Sequence, residues 1–480
     1  MQRRAKIVAT LGPATDVPEV LYDMCCAGLD VARVNFSHGN HADHLRRLEL
    51  LRAAAARAGR YVGVLGDLSG PKIRIESFRE GAVQLVEGAR FVLDTALDAS
   101  SGSIDAVGVA YKELPRDVRA GDVLLLNDGL IVLDVLRVAG TRIETTVQVG
   151  GELSNRKGVN RKGGGISAPA LTDKDFEDIR FAAAQGVDYL ALSFVRDAAD
   201  VQQARKLLRA AGGQAGLIAK IERHEAVEHL TEIVDASEGV MVARGDLGVE
   251  MGYAALTGLQ KTIINQARNR RRVVITATQM MESMISSPVP TRAEVSDVAN
   301  AVMDGTDAVM LSAESATGRY PIKAVQAMDD VIRGAEKYLL SSGQRGRQRN
   351  EGQFSATDEA IAMAVMYTAN HLKVRVIVAL TESGSTPLWM SRIRSDIPIY
   401  AFTRHSTTLR RVTLYRGVYP VSFDVPAVGR DGLHDSVFNM LLKLQLAAPG
   451  DLVILTKGEL SGVTGGTNSM QILQVPGKPD

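Results

Sequence analysis

Two residues apart in the segment LIAKIERHE, Lys220 and Glu222 set an ammonium beside a carboxylate. On a strand the two side chains point the same way and Ile221 points the other. A second carboxylate, Asp246, follows in VMVARGDLGVE. Two carboxylates at neighbouring strand ends form a hard oxygen site of the kind Mg²⁺ takes, with water and substrate oxygens completing its shell. An ammonium next to that ion suits a substrate bearing phosphoryl or carboxylate oxygens, because fixed positive charge stabilises negative charge as it develops. Gly245 lets the backbone come close to a ligand. For this segment alone, a structural Lys–Glu ion pair is the alternative.

Other polar residues also stand where an apolar run stops. They are Arg33, Asn35, Ser37 and His38; Asp67, with Lys72 and Arg74 beyond it; Arg244; Thr278; and Ser312 and Glu314. Taken singly, Arg33 reads equally as a surface cation and Thr278 as a hydroxyl bonding nearby backbone. His38 reads as a loop residue and receives no catalytic role. Met280, Met281 and Met284 read as core fillers.

The elements that must position these groups alternate along the chain. Short apolar runs at Lys6–Thr10, Val31–Asn35, Tyr61–Leu65, Tyr189–Ser193, Leu217–Ile221, Gly239–Val242, Val273–Thr276 and Ala308–Leu311 read as buried parallel strands. Helix-period segments such as Pro18–Ala27, Ala42–Ala58, Asp173–Gln185, Ala254–Arg272 and Ile322–Leu339 separate them. Eight such units predict an α/β fold, a (β/α)₈ TIM barrel, whose functional residues project from the C-terminal strand ends. A doubly wound open sheet is the structural alternative. From about Pro71 to Ala168 the pattern changes to short strands and turns, with a hairpin signal at Asn127-Asp128-Gly129 and no convincing helix. A small β domain there could close over a ligand as a lid. The polar stretch Ser341–Phe354 reads as a linker to a second α/β unit, with strands at Arg375–Leu380, Ile399–Thr403, Val418–Ser422 and Asp451–Thr456.

Composition narrows the classes. The chain has 480 residues, 45% hydrophobic and 23% charged, enough for several cored domains. A formal net charge of +1 gives no global field for nucleic acid or an anionic membrane, so an anionic ligand needs a local basic cluster. The two cysteines, Cys25 and Cys26, are adjacent and read as small buried residues on a helix in a reducing compartment. The apolar run after MQRRAK stops at Gly12-Pro13, too short for a signal or membrane span, so a cytoplasmic protein is expected.

Six motifs in order, GLDVARVNFSHG, GDLSGPKIR, IAKIERHE, MVARGDLGVE, TATQMMESM and MLSAESATGRYP, resemble those of the pyruvate kinase family. The resemblance runs over essentially the whole chain. It implies a catalytic barrel from residues 1–70 and 169–343, an inserted small β-barrel lid at 71–168, and a C-terminal α/β effector-binding domain at 344–480. It also implies the last step of glycolysis: phosphoryl transfer from phosphoenolpyruvate to ADP, giving pyruvate and ATP, by a homotetramer that needs Mg²⁺ or Mn²⁺. Arg33 and Lys220 would hold the transferring group, and Glu222 and Asp246 would ligate the metal. Gly245, Asp246 and Thr278 would receive the substrate carboxylate. Arg74 and Lys157 match nucleotide-phosphate contacts, and Thr278, Ser312 and Glu314 a proton relay to the enolate.

Asn35, Ser37, Asp67 and the Leu68 carbonyl match the family's potassium ligands. Potassium-dependent members carry glutamate where this sequence has Lys72 and threonine where it has Leu68. A tethered ammonium at Lys72 would replace the ion, which argues against a potassium requirement. In the C-terminal unit, Thr381, Ser383, Gly384, Ser385 and Thr386 form a candidate cradle for a phosphorylated effector, with the loop Ser461–Thr467 helping to enclose it. An ordinary helix cap is the alternative. The segments TESGSTPLWMSRI and LYRGVYPV resemble the bacterial type that responds to AMP or sugar monophosphates. Two rival functions are another Mg²⁺ barrel lyase or aldolase acting on pyruvate-like substrates, and a catalytically silent metabolite sensor.

Overall fold

Buried on both faces, parallel strands need apolar residues at nearly every position, and the eight short runs meet that need. In the computed structural model, which describes residues 2–342, 354, 356–429, 432–458 and 466–477, they close into a parallel barrel. Its strands are Lys6–Thr10, Val31–Asn35, Gly63–Asp67, Tyr189–Leu192, Gly216–Ile221, Gly239–Ala243, Val273–Ala277 and Ala308–Leu311. Each pairs with its neighbour in the chain, and the first closes on the eighth through Lys6↔Ala308. The third strand starts two residues later than its sequence suggests and ends on Asp67. A buried aspartate reads as a loop residue until its cationic partners are known.

Period-two alternation splits each strand between two cores. On the fifth strand, Leu217, Ala219 and Ile221 face the surrounding helices, while Ile218 belongs to the inner core. That inner core also holds Val8, Val31, Leu65, Ala191, Met241 and Ile275, and it continues into Val365, Ile377 and Ile454 of the C-terminal unit. The C-terminal unit therefore plugs the bottom of the barrel. Its five-stranded sheet has four parallel strands, Val374–Leu380, Ile399–Thr403, Val418–Ser422 and Leu452–Gly458. A fifth strand, Thr467–Gln474, pairs antiparallel to Leu452–Gly458; its polar composition hid it in the sequence.

Between the third and fourth barrel strands, the insert folds as a six-stranded sheet and a two-stranded sheet around one core, which includes Ile75, Phe91, Leu124, Leu133 and Ile143. A continuous small barrel was expected; here two sheets share the core. One helical turn, Leu114–Asp117, also stands where no helix was predicted. The hairpin from Val123–Leu126 to Ile131–Ala139 turns through Asn127, Asp128 and Gly129, at φ of 52°, 56° and 86°. Most of the expected linker, and residues 461–465 of the expected effector loop, lie outside the described residues. Cys25 is buried and Cys26 exposed on Pro18–Ala27, so only one of the two is the buried residue expected.

Buried charges also join the C-terminal unit to the barrel. Arg392 forks onto Asp307, at the foot of the eighth strand, with Nη1 at 2.8 Å from Oδ2. The same carboxylate accepts the backbone N–H of Val274 at 2.9 Å and of Arg416 at 3.1 Å. Removing one partner of a buried pair strands the other's charge away from water. Asp307→Ala should therefore lower unfolding stability by about 3–5 kcal/mol, read by thermal melting; a surface-like change below about 0.5 kcal/mol would refute this account.

Candidate active site

Inward alternation decides which strand-end side chains meet. Counting on from Val31 and Leu65, the next inward positions are Arg33 and Asp67; counting on from Ile218, they are Lys220 and Glu222. All four converge. Arg33 Nε donates to Asp67 Oδ2 at 2.6 Å and its Nη1 to Thr10 Oγ1 at 3.0 Å. The Lys220 ammonium lies 2.9 Å from Glu222 Oε1 and 3.4 Å from Asp67 Oδ1, and donates to Ser193 Oγ at 2.7 Å. Ser193 donates in turn to the Leu68 carbonyl at 2.8 Å. Glu222 Oε2 accepts the Phe194 N–H at 2.8 Å.

Charge states follow from these contacts. Burial alone would lower the pKa of Lys220, but Asp67 and Glu222 outweigh it and hold the ammonium above its ordinary value. Burial would likewise push the Asp67 carboxyl up, yet Lys220 and Arg33 bring it below the usual range. At Glu222 burial wins, and its carboxyl is raised despite Lys220.

Beside this cluster, the sixth strand leads straight into the helix Arg244–Met251. The Gly245 N–H donates to Thr278 Oγ1 at 2.9 Å. Thr278 and Gln279 follow the seventh strand at φ of 70° and 53°, a left-handed turn that non-glycine residues adopt at a cost of order 1–3 kcal/mol each. Arg244 braces that turn. It donates to the Thr278 carbonyl at 2.7 Å and is itself fixed by Asp297 at 2.7 Å. Glu314 accepts backbone N–H groups of Ser312 at 2.6 Å and Met281 at 3.1 Å, tying the seventh and eighth strand ends together, and burial raises its carboxyl.

Lys72 departs from expectation. Its ammonium was predicted to lie among Asn35, Ser37 and Asp67; instead it donates to Asp246 Oδ1 at 2.9 Å and sits 3.9 Å from Asp128. The physical reason is charge balance. Asp67 is already shared by Arg33 and Lys220, whereas Asp246 has no other bonded partner among the described residues. Asn35 faces Asp67 across the paired strands and accepts the Ser37 N–H at 3.1 Å, so the four residues matched to a potassium site stand close together without Lys72.

At the root of the insert, Arg74 is bridged to Gly158, and Ile75 N–H donates to the Lys157 carbonyl at 2.9 Å, so Arg74 and Lys157 lie on adjacent segments. The candidate effector turn sits far off in the C-terminal unit. Its Gly384 N–H donates to Thr381 Oγ1 at 2.9 Å and its Ser385 N–H to Ser383 Oγ at 3.4 Å. Ser385 Oγ donates to Asp358 at 3.1 Å, and Thr386 shares a hydroxyl bond of 2.6 Å with Thr467. Cavities of about 630 and 640 Å³ lie between the barrel's lower end and the C-terminal unit and contain none of the strand-end residues.

Two carboxylates, Glu222 and Asp246, offer hard oxygens to a divalent ion, and no cluster of three or more His, Cys, Asp or Glu able to hold a metal occurs among the described residues. Substrate oxygens and water would have to complete the shell of an ion held by those two carboxylates. Among the described residues, no helix is long and apolar enough to cross a membrane. Sequence reasoning missed Ser193, just past the end of the fourth strand, and Thr10, the last residue of the first. The signal was present: counting by twos from Tyr189 and Ala191 reaches Ser193, and from Val8 reaches Thr10.

A family model described as pyruvate kinase, barrel domain, matches residues 2–325, and one described as pyruvate kinase, alpha/beta domain, matches residues 359–473. The chain belongs to the pyruvate kinase family. It is similar to pyruvate kinase II of Salmonella typhimurium, with 53% identity over 477 residues, covering 98% of this chain and 99% of that protein. A pyruvate kinase of Haemophilus influenzae is 50% identical over 95% of this chain and 96% of its own. One from Geobacillus stearothermophilus is 43% identical over 98% of this chain, which spans 80% of that protein. Pyruvate kinases are phosphotransferases that use a divalent metal, and this chain is such an enzyme.

The bond network yields a test at the residue the sequence reading overlooked. Ser193→Ala deletes one of the contacts on Lys220 and leaves the Leu68 carbonyl without its hydroxyl donor. We expect a stability loss of about 1–3 kcal/mol by denaturant melting, with the barrel otherwise intact. An unchanged midpoint would mean that solvent replaces the hydroxyl at no cost.

Proposed function

We propose that this enzyme transfers the phosphoryl group of phosphoenolpyruvate to ADP, releasing pyruvate and ATP. The single observation that carries the reading is the buried group of Arg33, Lys220, Asp67 and Glu222, with Asp246 at the next strand end. Donor and acceptor are both anionic, so the protein's task is neutralisation and alignment. Lys220, held protonated by its two carboxylates, serves as a fixed cation rather than a base. With Arg33 it would flank the transferring phosphoryl group. Glu222 and Asp246 would hold Mg²⁺ or Mn²⁺, which when bound neutralises phosphoryl oxygens. Substrate carboxylate would be received at Gly245, Asp246 and Thr278, where the Gly245 N–H exchanges its bond to Thr278 for one to substrate. Protonation of the enolate is assigned to Thr278, Ser312 and Glu314 as a group.

The same reading makes residues 1–70 and 169–343 the catalytic barrel and residues 71–168 a lid that brings Arg74 and Lys157 to the nucleotide. Residues 344–480 form an effector domain in which the turn from Thr381 to Thr386 takes a phosphorylated ligand. A cytoplasmic homotetramer fits the family. The experiment is a coupled assay of pyruvate release from phosphoenolpyruvate and ADP. Activity should need Mg²⁺ or Mn²⁺, and Lys220→Met should lower turnover by about 10²–10³-fold or more, the scale for loss of a preorganised charge. Full turnover in that variant, or in the presence of chelator, refutes the assignment.

In this reading Lys72 bears on the monovalent-ion requirement from its seat on Asp246, not from within the group of Asn35, Ser37, Asp67 and Leu68. Its tethered ammonium adds a unit positive charge to this end of the barrel, which weakens the pull of those four residues on a potassium ion. The enzyme should run at nearly full rate when a bulky organic cation is the only monovalent cation. Lys72→Glu should make the initial rate depend on added potassium at constant ionic strength. Strong potassium activation of the unmodified enzyme would overturn the role given to Lys72.

A further inference from the structure

Glu250 stands one turn beyond Asp246 on the helix Arg244–Met251 and is 6% exposed. Its Oε2 accepts the backbone N–H of His224 at 2.9 Å, and its Oε1 accepts from Asn160 Nδ2 at 3.4 Å. His224 lies two residues past Glu222. Asn160 is buried on the insert's strand Val159–Arg161, directly after Lys157 and Gly158. One carboxylate thus touches the loop behind one proposed metal ligand, rides on the helix of the other, and grips the returning strand of the lid. We propose that Glu250 is a positioning residue that seats the lid's returning strand on both metal-carboxylate elements and so sets where Lys157 and Arg74 meet the nucleotide. The proposal rests on the reading of the insert as the lid on the ADP side.

The surroundings are built for such a seat. Just downstream, Glu225 Oε1 accepts the Gly165 N–H at 2.5 Å, and Arg223 Nη2 donates to the Ile166 carbonyl at 2.7 Å. Gly163, Gly164 and Gly165 have φ of 83°, 75° and 88°, conformations that leave the chain free to swivel unless it is held from outside. At Gly164 a Cβ would stand 2.8 Å from Glu225 Oε1, which a side chain can relieve by moving, so glycine is favoured there by its φ of 75°. The loop Arg223–Glu225 and Glu250 together hold the exit of the lid at three points.

Stability does not explain Glu250. A buried carboxylate costs free energy that an apolar side chain of similar size would avoid. Burial pushes its carboxyl up to about 7, with Arg223 opposing and Glu225 reinforcing the rise. Near neutral pH it therefore exists substantially as the neutral acid, and an amide of the same shape can replace it, its oxygen accepting from His224 and its NH₂ donating to Asn160 once that amide turns to present Oδ1.

The test separates positioning from folding. In Glu250→Ala, KM for ADP should rise roughly tenfold while KM for phosphoenolpyruvate changes less than about twofold. Glu250→Gln should return KM for ADP to within about twofold of the unmodified enzyme. Asn160→Ala should reproduce the effect on ADP, and the double variant should add little, because the two residues share one interaction. Hydrogen–deuterium exchange over residues 157–168 of the full chain should quicken in Glu250→Ala and not in Glu250→Gln; this readout does not depend on turnover. Equal rises in both KM values, no rise in either, or a glutamine variant as impaired as the alanine one would each overturn the proposal. If Glu250→Ala melts too low to assay, Asn160→Ala decides alone, and an unchanged KM for ADP there overturns it. Failure of the unmodified enzyme to turn over phosphoenolpyruvate and ADP would instead sink the functional reading, leaving the exchange experiment to judge the seat.

Discussion

Everything at the top of the barrel depends on the carboxylate of Asp67 lying between two buried cations. Arg33 holds one oxygen and Lys220 faces the other, and Asp67 is 1% exposed. Each charge alone would be costly so far from water. Together, and with Glu222 added, the carboxylates raise the pKa of Lys220 against the opposing effect of burial and favour its charged form. A permanently charged lysine at that place is a stabiliser of anions; a neutral one would be a base. The charge cluster therefore decides which kind of chemistry the barrel can support.

That cluster imposes a register on three strands. Arg33 and Asp67 come from neighbouring strands paired Asn35↔Asp67, and Lys220 arrives from the fifth. Slipping any one strand by a residue would turn its polar group outward into the helix layer. Closure of the barrel forbids the slip, because every strand is paired on both sides. The opposite end is fixed by a second set of charges. Lys6 Nζ donates to the Val418 carbonyl at 2.6 Å, Arg410 pairs with Asp188 at 3.0 Å, and Arg392 forks onto Asp307. Binding the C-terminal unit to the strand starts leaves the strand ends to the insert. The two appended units thus divide the barrel, one bracing it and one covering its reactive face.

Much of this was legible in the sequence, for a physical reason: strands buried on both faces have no choice but to be apolar. The runs Lys6–Thr10, Val31–Asn35 and Ala308–Leu311 are strands over those same residues. What stayed hidden was whatever depended on a distant partner. Asp67 can be buried at a strand end because Arg33 and Lys220 neutralise it. Ser193 looked like an ordinary strand terminus because nothing nearby in the chain announces Lys220. Lys72 could be matched to a charge missing from a pattern, but not to the carboxylate it bonds. The strand Thr467–Gln474 is half polar because it lies at a sheet edge, and composition alone reads such a strand as loop.

Lys72 and Asp246 show how one contact links two parts of the molecule. Lys72 sits where the chain leaves the barrel for the insert, and it engages Asp246 through Oδ1 alone. Among the described residues no donor is bonded to Oδ2, so the tethered ammonium and a divalent ion can occupy different oxygens of one carboxylate. Sharing still has a consequence. Two cations on one carboxylate repel each other, and the attraction each feels is reduced by the other's presence. The ammonium has a second carboxylate within reach, Asp128, at 3.9 Å on the insert's hairpin.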